Sequence, residues 1–353
     1  MDAQKMETLE TPNKILFIQT AFLGDAILSL PAVEVLKLKF PNSFLSVLCM
    51  PITREVFANS PFVDETIVFD KRNIHKSFFA LLKFAKVIRN KNFDRIYSAH
   101  RSFRTSILVL LSEVMETFGF SNSSFSFVYK NLVEYNQHHH EVQRNVSLVS
   151  FPDEIENWRV LPKVKIDQKV KTKIEEILRD FQGKKKIVIA PGSIWTTKRY
   201  PSEKYSKIVK ILDDLNFQIF LIGSNSDREL CESIKNKKEN IVNFAGDFSF
   251  IETVELMSNC DLLISNDSAP THMGMCASIP VLTIYCSTVP DFGFYPYNEF
   301  SEHISLNGLS CKPCGIHGHQ ECPLDHFKCG NDLDEELIIA KALEILNRRE
   351  KYS

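Results

Sequence analysis

The chain has 353 residues, 44% of them apolar, and a formal net charge of -2. That length suggests about two domains, each able to bury a core. The near-neutral balance excludes a chain-wide nucleic-acid-binding role, and no apolar run reaches the roughly 18 residues needed to span a bilayer.

The N-terminal MDAQKMETLETPNK is polar and lacks the basic start and apolar centre of an export signal. Residues 1–13 are therefore expected to be a short disordered leader and the chain cytoplasmic. In that setting Cys49, Cys231, Cys260, Cys276 and Cys286, scattered through apolar or element-end positions, are expected as free thiols.

KILFIQT (14–20) is a short apolar run without alternation, as a strand buried on both faces requires. The turn AFLGD leads into a helical pattern, AILSLPAVEVLKLKF, with Pro31 either kinking the helix or starting its main body. Strand FLSVLCM, short helix TREVFANS, strand ETIVFD, helix KSFFALLKFAKVIRN and strand FDRIYSAH follow. Such alternation predicts a parallel sheet covered by helices. The next stretch is harder to read; its triplet His138–His140 precedes a helix, and consecutive helical residues do not converge on a metal.

From Pro152 to Lys186 the chain is charged and proline-punctuated, which marks an interdomain region. A second alternation then runs through KIVIAPGS, YSKIVKILDDL, FQIFLIG, SDRELCESIK, NIVNFAG, SFIETVELMSNC, DLLISND, APTHMGMCAS and VLTIYCS. Ser249 and Glu252 stand at capping-box spacing. The fold class is thus α/β, two Rossmann-like parallel-sheet domains facing a central cleft. The expected boundaries are 14–165, 166–332 and a C-terminal helix over 333–353.

Charge is concentrated in residues 71–104, where Lys71, Arg72, Lys76, Lys83, Lys86, Arg89, Lys91, Arg95, Arg101 and Arg104 face only Asp94. An anionic partner for the N-terminal half competes with a merely solvated surface as the explanation.

Ligands of open parallel sheets bind beyond the carboxyl ends of the strands, so three strand-end loops become candidates. Asp25, in Phe22-Leu23-Gly24-Asp25, is either a general base for a substrate hydroxyl or a helix cap. Pro191 to Pro201 offers glycine, hydroxyls and Lys198, a phosphate-binding composition without the spacing of a Walker loop. Ser265 to His272 places Pro270 at a helix start, where free N–H groups attract anions.

Together these loops resemble the ADP-heptose–lipopolysaccharide heptosyltransferases, glycosyltransferase family 9. The opening KILFIQTAFLGDAILSLPAVEVLKLKFPNSFLSVL, the loop PGSIWTTKRYP, the segments LIGSNSDREL and NFAGDFSFIETVELMSNCDLLISNDSAPTHMGMCASIPVLTIYCST, and the tail CKPCGIHGHQECPLDHFKCGNDL carry the resemblance in order.

It implies a GT-B architecture and an inverting transfer with no cofactor and no metal at the reacting phosphate. Asp25 would be the base, and Lys198 would neutralise the leaving diphosphate. Gly192, Ser193, Thr197, Lys198, Asp267, Ser268 and His272 would hold the donor. Lys83, Lys86, Arg101 and Arg104 would attract the acceptor, an anionic glycolipid at the inner face of the cytoplasmic membrane. The N-terminal domain would bind this acceptor, the C-terminal domain the nucleotide sugar. No nucleic-acid partner is implied, and the chain is expected to be a monomer, cytoplasmic or peripheral to the inner membrane.

Two positions depart from the family pattern: Ala269 stands where glycine is usual, and Thr196-Thr197 precede Lys198. Alternatives are a transferase or epimerase for another nucleotide sugar, and a non-catalytic nucleotide-sugar-binding homologue. Cys311, Cys314, Cys322 and Cys329 have spacing compatible with a structural zinc, against a packed loop of reduced thiols.

Overall fold

The computed structural model describes residues 11–150 and 157–352. The chain divides into two compact units, one up to Lys165 and the other from Ile166. Residues 1–10 of the expected leader, and the start of the expected interdomain region, lie outside the described residues. Asn13, at the end of that leader, donates its N–H to Asp94 at 2.7 Å.

In the first unit β1 (Lys14–Gln19), α1 (Leu23–Lys39), β2 (Phe44–Cys49), α2 (Arg54–Ala58), β3 (Glu65–Val68), α3 (Phe78–Arg89), β4 (Arg95–Ser98), α4 (Phe103–Leu111), β5 (Glu116–Phe120), β6 (Asn131–Val133) and α5 (Glu141–Ser147) follow in order. The strands are all parallel, in the order β3-β2-β1-β4-β5-β6. Leu16, Ile18, Ile96, Phe69, Phe84 and Ile88 join the core between this sheet and α3 and α4.

Pro31 does not start the helix: α1 begins eight residues earlier and runs through it. The proline removes one backbone donor, and beside the break Asn145 of α5 donates to Leu28 O at 3.3 Å.

The second unit comprises α6 (Gln168–Leu178), β7 (Lys186–Ala190), α7 (Ser202–Asp214), β8 (Gln218–Leu221), α8 (Arg228–Lys235), β9 (Ile241–Asn243), α9 (Phe250–Ser258), β10 (Leu262–Asn266), α10 (Ala269–Cys276), β11 (Val281–Tyr285), β12 (Glu302–Ser305), α11 (Lys328–Asn331) and α12 (Glu335–Tyr352). Its order, β12-β11-β10-β7-β8-β9, is also entirely parallel. Counted within the unit, this is the same 3-2-1-4-5-6 arrangement as in the first. Ile338, Ala342 and Ile345 of α12 are buried in the core with Tyr200 and Ile208, so the C-terminal helix belongs to this unit.

In each unit the chain reverses its direction of travel across the sheet between two neighbouring strands, β1 and β4 in one, β7 and β10 in the other. The loops leaving those strands open a crevice suited to ligands. Among the described residues no helix is long and apolar enough to cross a membrane.

Candidate active site

Asp25 lies in the first turn of α1, at the carboxyl end of β1, three residues after the N-cap Phe22. It is therefore not the cap residue itself. Its carboxyl keeps a little exposed surface but is closely surrounded by protein. Loss of water pushes its pKa up to about 7, and the carboxylate of Glu141 adds to the rise; the N–H groups of Asp25 and Phe22, and Arg101, oppose it. A carboxyl poised there is half ionised near neutral pH, the condition a general base needs.

Three further groups crowd this strand end. Lys71 donates from Nζ to Thr20 O at 2.7 Å and stands 3.4 Å from His100 Nε2. Burial, with Arg72 and Arg104 adding, pushes the Lys71 pKa down to about 8 against the pull of Asp25. His100 follows β4, and its Nδ1 meets the hydroxyls of Thr105 (2.7 Å), Thr20 (3.0 Å) and Ser102 (3.1 Å). Burial, then Lys71 and Arg101, push its pKa down to about 3, so it is neutral. Arg101 lays its guanidinium 3.9 Å over the Tyr135 ring. Tyr135 donates to Glu141 at 3.0 Å, and Glu141 is paired with buried Arg144 at 3.0 Å.

Of the four basic residues assigned to an acceptor, Arg101 acts on Asp25 and His100, whereas the charge of Arg104 is felt by Lys71. Arg104 spends its guanidinium on the carbonyls of His75 and Ser77, bracing the start of α3. Lys83 and Lys86 sit on the exposed side of α3. Lys71 and His100 went unassigned in the sequence reading. Their signal was position: each stands within three residues of a strand's carboxyl end.

In the second unit Lys198, at the end of a short 3-10 turn after β7, places Nζ 2.6 Å from Asp267 Oδ2. Thr288 donates to the same oxygen at 2.7 Å. Asp267 and Ser268 connect β10 to α10. Ser268 Oγ reaches Gly192 O at 3.4 Å. Asn266 ties the two loops by donating to Pro191 O (2.7 Å) and accepting from Tyr200 N and Tyr205 OH (both 3.0 Å).

His272 is buried on α10; burial, then Lys198, push its pKa down to about 3, and its Nδ1 has no hydrogen-bond partner among the described residues. Ala269 is the first residue of α10 in ordinary right-handed backbone, so nothing local demands glycine there.

Gly192 has a specific cause. A Cβ on it would stand 2.5 Å from the Asp227 carboxyl, and one on Gly223 would stand 2.7 Å from Asp227 Cβ. Asp227 thus packs flat against the loop after β7 while accepting from Ser224 N at 2.9 Å.

Thr197, assigned to the donor, is buried and turned toward the C-terminal tail instead. Its hydroxyl accepts from His319 N at 2.8 Å and lies 3.1 Å from Ser287 Oγ and 3.0 Å from His319 O. Thr196 bonds Gln320 at 2.9 Å, Gln320 donates to Ile194 O at 3.1 Å, and Trp195 stacks on His317. Gly318 sits between, at φ +79°, where a Cβ would stand a tight 3.0 Å from the Thr197 and Ser287 hydroxyls. The tail segment is a clasp on the loop after β7.

The zinc suggested by the cysteine spacing is not supported by this arrangement. Among the described residues no three His, Cys, Asp or Glu side chains are grouped to hold a metal. The thiols are free, and Cys311 Sγ lies 4.0 Å from His326 Nε2. His140 is the N-cap of α5, accepting from Val142 N at 3.2 Å, which accounts for one of the histidine triplet.

The profile of glycosyltransferase family 9 (heptosyltransferase) matches residues 81–326, well over half of the chain. The chain belongs to glycosyltransferase family 9. It is 25% identical over 299 residues to lipooligosaccharide heptosyltransferase 2 of Haemophilus ducreyi, covering 79% of this chain and 85% of that protein. It is 24% identical over 344 residues to its Campylobacter jejuni counterpart, covering 94% and 98%.

Among solved structures, a family 9 glycosyltransferase from Veillonella parvula superposes with a TM-score of 0.83 at 23% identity, covering 95% of this chain and 98% of that one. The ADP-heptose lipopolysaccharide heptosyltransferase II of Escherichia coli gives 0.76 at 21%, covering 96% and 99%. Both share the GT-B-like arrangement of two parallel-sheet units. The protein is a glycosyltransferase of the heptosyltransferase type, using a nucleotide-sugar donor.

Proposed function

We propose that the chain transfers heptose from ADP-heptose to the inner core of lipopolysaccharide, with inversion at the anomeric carbon. The observation that carries this reading is a pair of groups, each at the switch point of its own unit. One is a carboxyl titrating near neutrality, Asp25; the other is a partly buried cation, Lys198, beside a helix start.

The acceptor oxygen attacks the anomeric carbon as the bond from that carbon to the diphosphate oxygen breaks. The hydroxyl proton goes to Asp25, and the bonding pair leaves with the diphosphate. Lys198 and the N-terminal end of α10 face the charge that develops there. Ser193 and Ser268 add hydroxyl donors, and neutral His272 offers its unpartnered Nδ1 to the donor. Arg101, and Lys71 while charged, would receive the acids of the acceptor.

The choice of adenine nucleotide and heptose rests on the named activity of the E. coli neighbour, and that of the acceptor on the names of the curated relatives. A lipid-anchored acceptor would bring the enzyme to the inner face of the cytoplasmic membrane as a peripheral protein.

Melting the protein with ADP, UDP and GDP, then assaying transfer from ADP-heptose, tests the reading. ADP should raise the melting temperature most, since a ligand of the folded state stabilises it by mass action. Equal shifts with all three, or no transfer from ADP-heptose, would exclude it.

A further inference from the structure

The N-terminal unit leaves an unusual set of side chains in water around the crevice that holds Asp25. Ile74 is 75% exposed, Phe78 62% and Phe79 81%, all in or just after the connection from β3 to α3. Leu82 follows one turn later, also exposed. On the next connection Phe103 is exposed and packs on Phe125 at 4.7 Å, which in turn meets Phe127 at 5.2 Å. The two groups are neighbours, because Arg104 of α4 bonds the carbonyls of His75 and Ser77. All of these connections leave strands on the edge that also carries Asp25.

The core explains none of this exposure. Helix α3 already buries Leu81, Phe84, Ala85 and Ile88 on its opposite face. Its outer face sets Phe78, Phe79 and Leu82 among Lys83, Lys86 and Arg89, and the helix has no carboxylate. Just before it stand Arg72 and Lys76, both exposed. The nearby acids are engaged: Asp70 is turned into its own loop by Arg72 N, Asn73 N and the Asn73 amide, and Glu113 pairs with Arg89. Aromatic side chains among unneutralised lysines are the composition of an element lying in a membrane interface.

We infer that this rim, from Arg72 to Lys86 with Phe103 and Phe127, docks on a bilayer containing anionic phospholipid. Its phenylalanines enter the headgroup boundary and its lysines face the phosphates. A second copy of the chain is a poorer occupant, since a two-fold contact would set Arg72, Lys76, Lys83 and Lys86 against themselves. A free soluble anion would leave the phenylalanines in water. The inference rests on the proposed lipid-anchored acceptor for its purpose: docking would present the Asp25 crevice to the membrane surface.

The test is co-sedimentation of the full chain with phosphatidylcholine vesicles, with and without about a third phosphatidylglycerol. The chain should pellet with the anionic vesicles and lose binding as salt rises. Phe78→Ser with Phe79→Ser should lower the partition coefficient at least about tenfold. Lys76→Glu with Lys83→Glu should do the same and abolish the salt dependence. Both should melt close to the parent, since these side chains are exposed.

Wild type remaining in the supernatant, or phenylalanine variants pelleting as well as wild type, would overturn the inference. So would a dimer that Phe79→Ser dissociates. Vesicle binding is read without nucleotide sugar, and transfer is read with a lipid-free core oligosaccharide. Failure of docking is thereby separated from failure of the proposed reaction.

Discussion

Lys198 and Asp267 share a 2.6 Å ion pair, and the carboxylate oxygen in that pair also accepts a hydrogen bond from Thr288. Loops from two adjacent strands therefore fix the cation before any chemistry begins. A pre-placed charge need not reorganise when the diphosphate departs.

Lys198→Ala should therefore cost about 2–4 kcal/mol of transition-state stabilisation, read as kcat/KM for transfer. It should also lower stability by about 1–3 kcal/mol, because Asp267 is left with Thr288 as its side-chain partner. Near-normal turnover in a folded variant would remove Lys198 from the reaction.

Asp25→Asn separates catalysis from stability. Transfer should fall by about 10²–10⁴-fold, while donor affinity stays unchanged. The carboxyl has a folded pKa of about 7 against an ordinary 3.8, so its ionised form penalises the folded state. That penalty is complete above pH 7 and disappears below about pH 4. The amide variant should therefore be more stable than wild type at pH 8, by roughly 2 kcal/mol after allowing for water at the exposed edge. The difference should close as pH falls. Equal melting temperatures across that range would contradict the buried-carboxyl reading.

The pH–rate profile should be bell-shaped. Activity should rise through about pH 7 as Asp25 ionises. It should fall through about pH 8 as Lys71 loses its proton. Lys71→Met should flatten the alkaline limb and leave the acid limb in place. An unchanged alkaline limb would detach Lys71 from the reaction.

Arg101→Ala and Lys86→Ala should behave differently, although both belong to one basic stretch of sequence. Loss of Arg101, stacked on Tyr135 beside the Asp25 crevice, should raise acceptor KM about tenfold or more. Loss of Lys86 should leave KM for a lipid-free acceptor unchanged. Parallel effects would restore the stretch as one diffuse acceptor field.

Gly192→Ala should destabilise the second unit by about 1–3 kcal/mol and weaken nucleotide binding, because the new methyl meets the Asp227 carboxyl. Adding Asp227→Ala should recover part of the loss despite removing the cap to Ser224. Additive losses in the double variant would show that Asp227 is not the obstacle.

The central strands were legible because strands buried on both faces must be continuous apolar runs, as in KILFIQ and KIVIA. Strands β5, β6 and β12 were not: β6 (NLV) has three residues, β12 (EHIS) has a single apolar one, and β5 carries Gly119 against the Tyr129 ring. The loops bearing Asp25, Lys198 and Asp267 could be found because strand ends are fixed by the strands themselves. The task of Thr197 could not, since its partners lie 90 and 122 residues away. Nor could the difference between Arg101 and Arg104, which depends on the neighbouring carbonyls each finds.

The clasp between the loop after β7 and the tail also sets an order of assembly. Ile194, Thr196 and Thr197 take their partners from Ser287, His319 and Gln320. During synthesis the β7 and β10 strands emerge well before the tail that secures the turn carrying Lys198. A nascent chain that ends short of Gln320 holds the loops proposed to bind phosphate without their latch. Nucleotide affinity should thus arrive late in translation, after the tail has left the ribosome, and would serve as a reporter of complete synthesis.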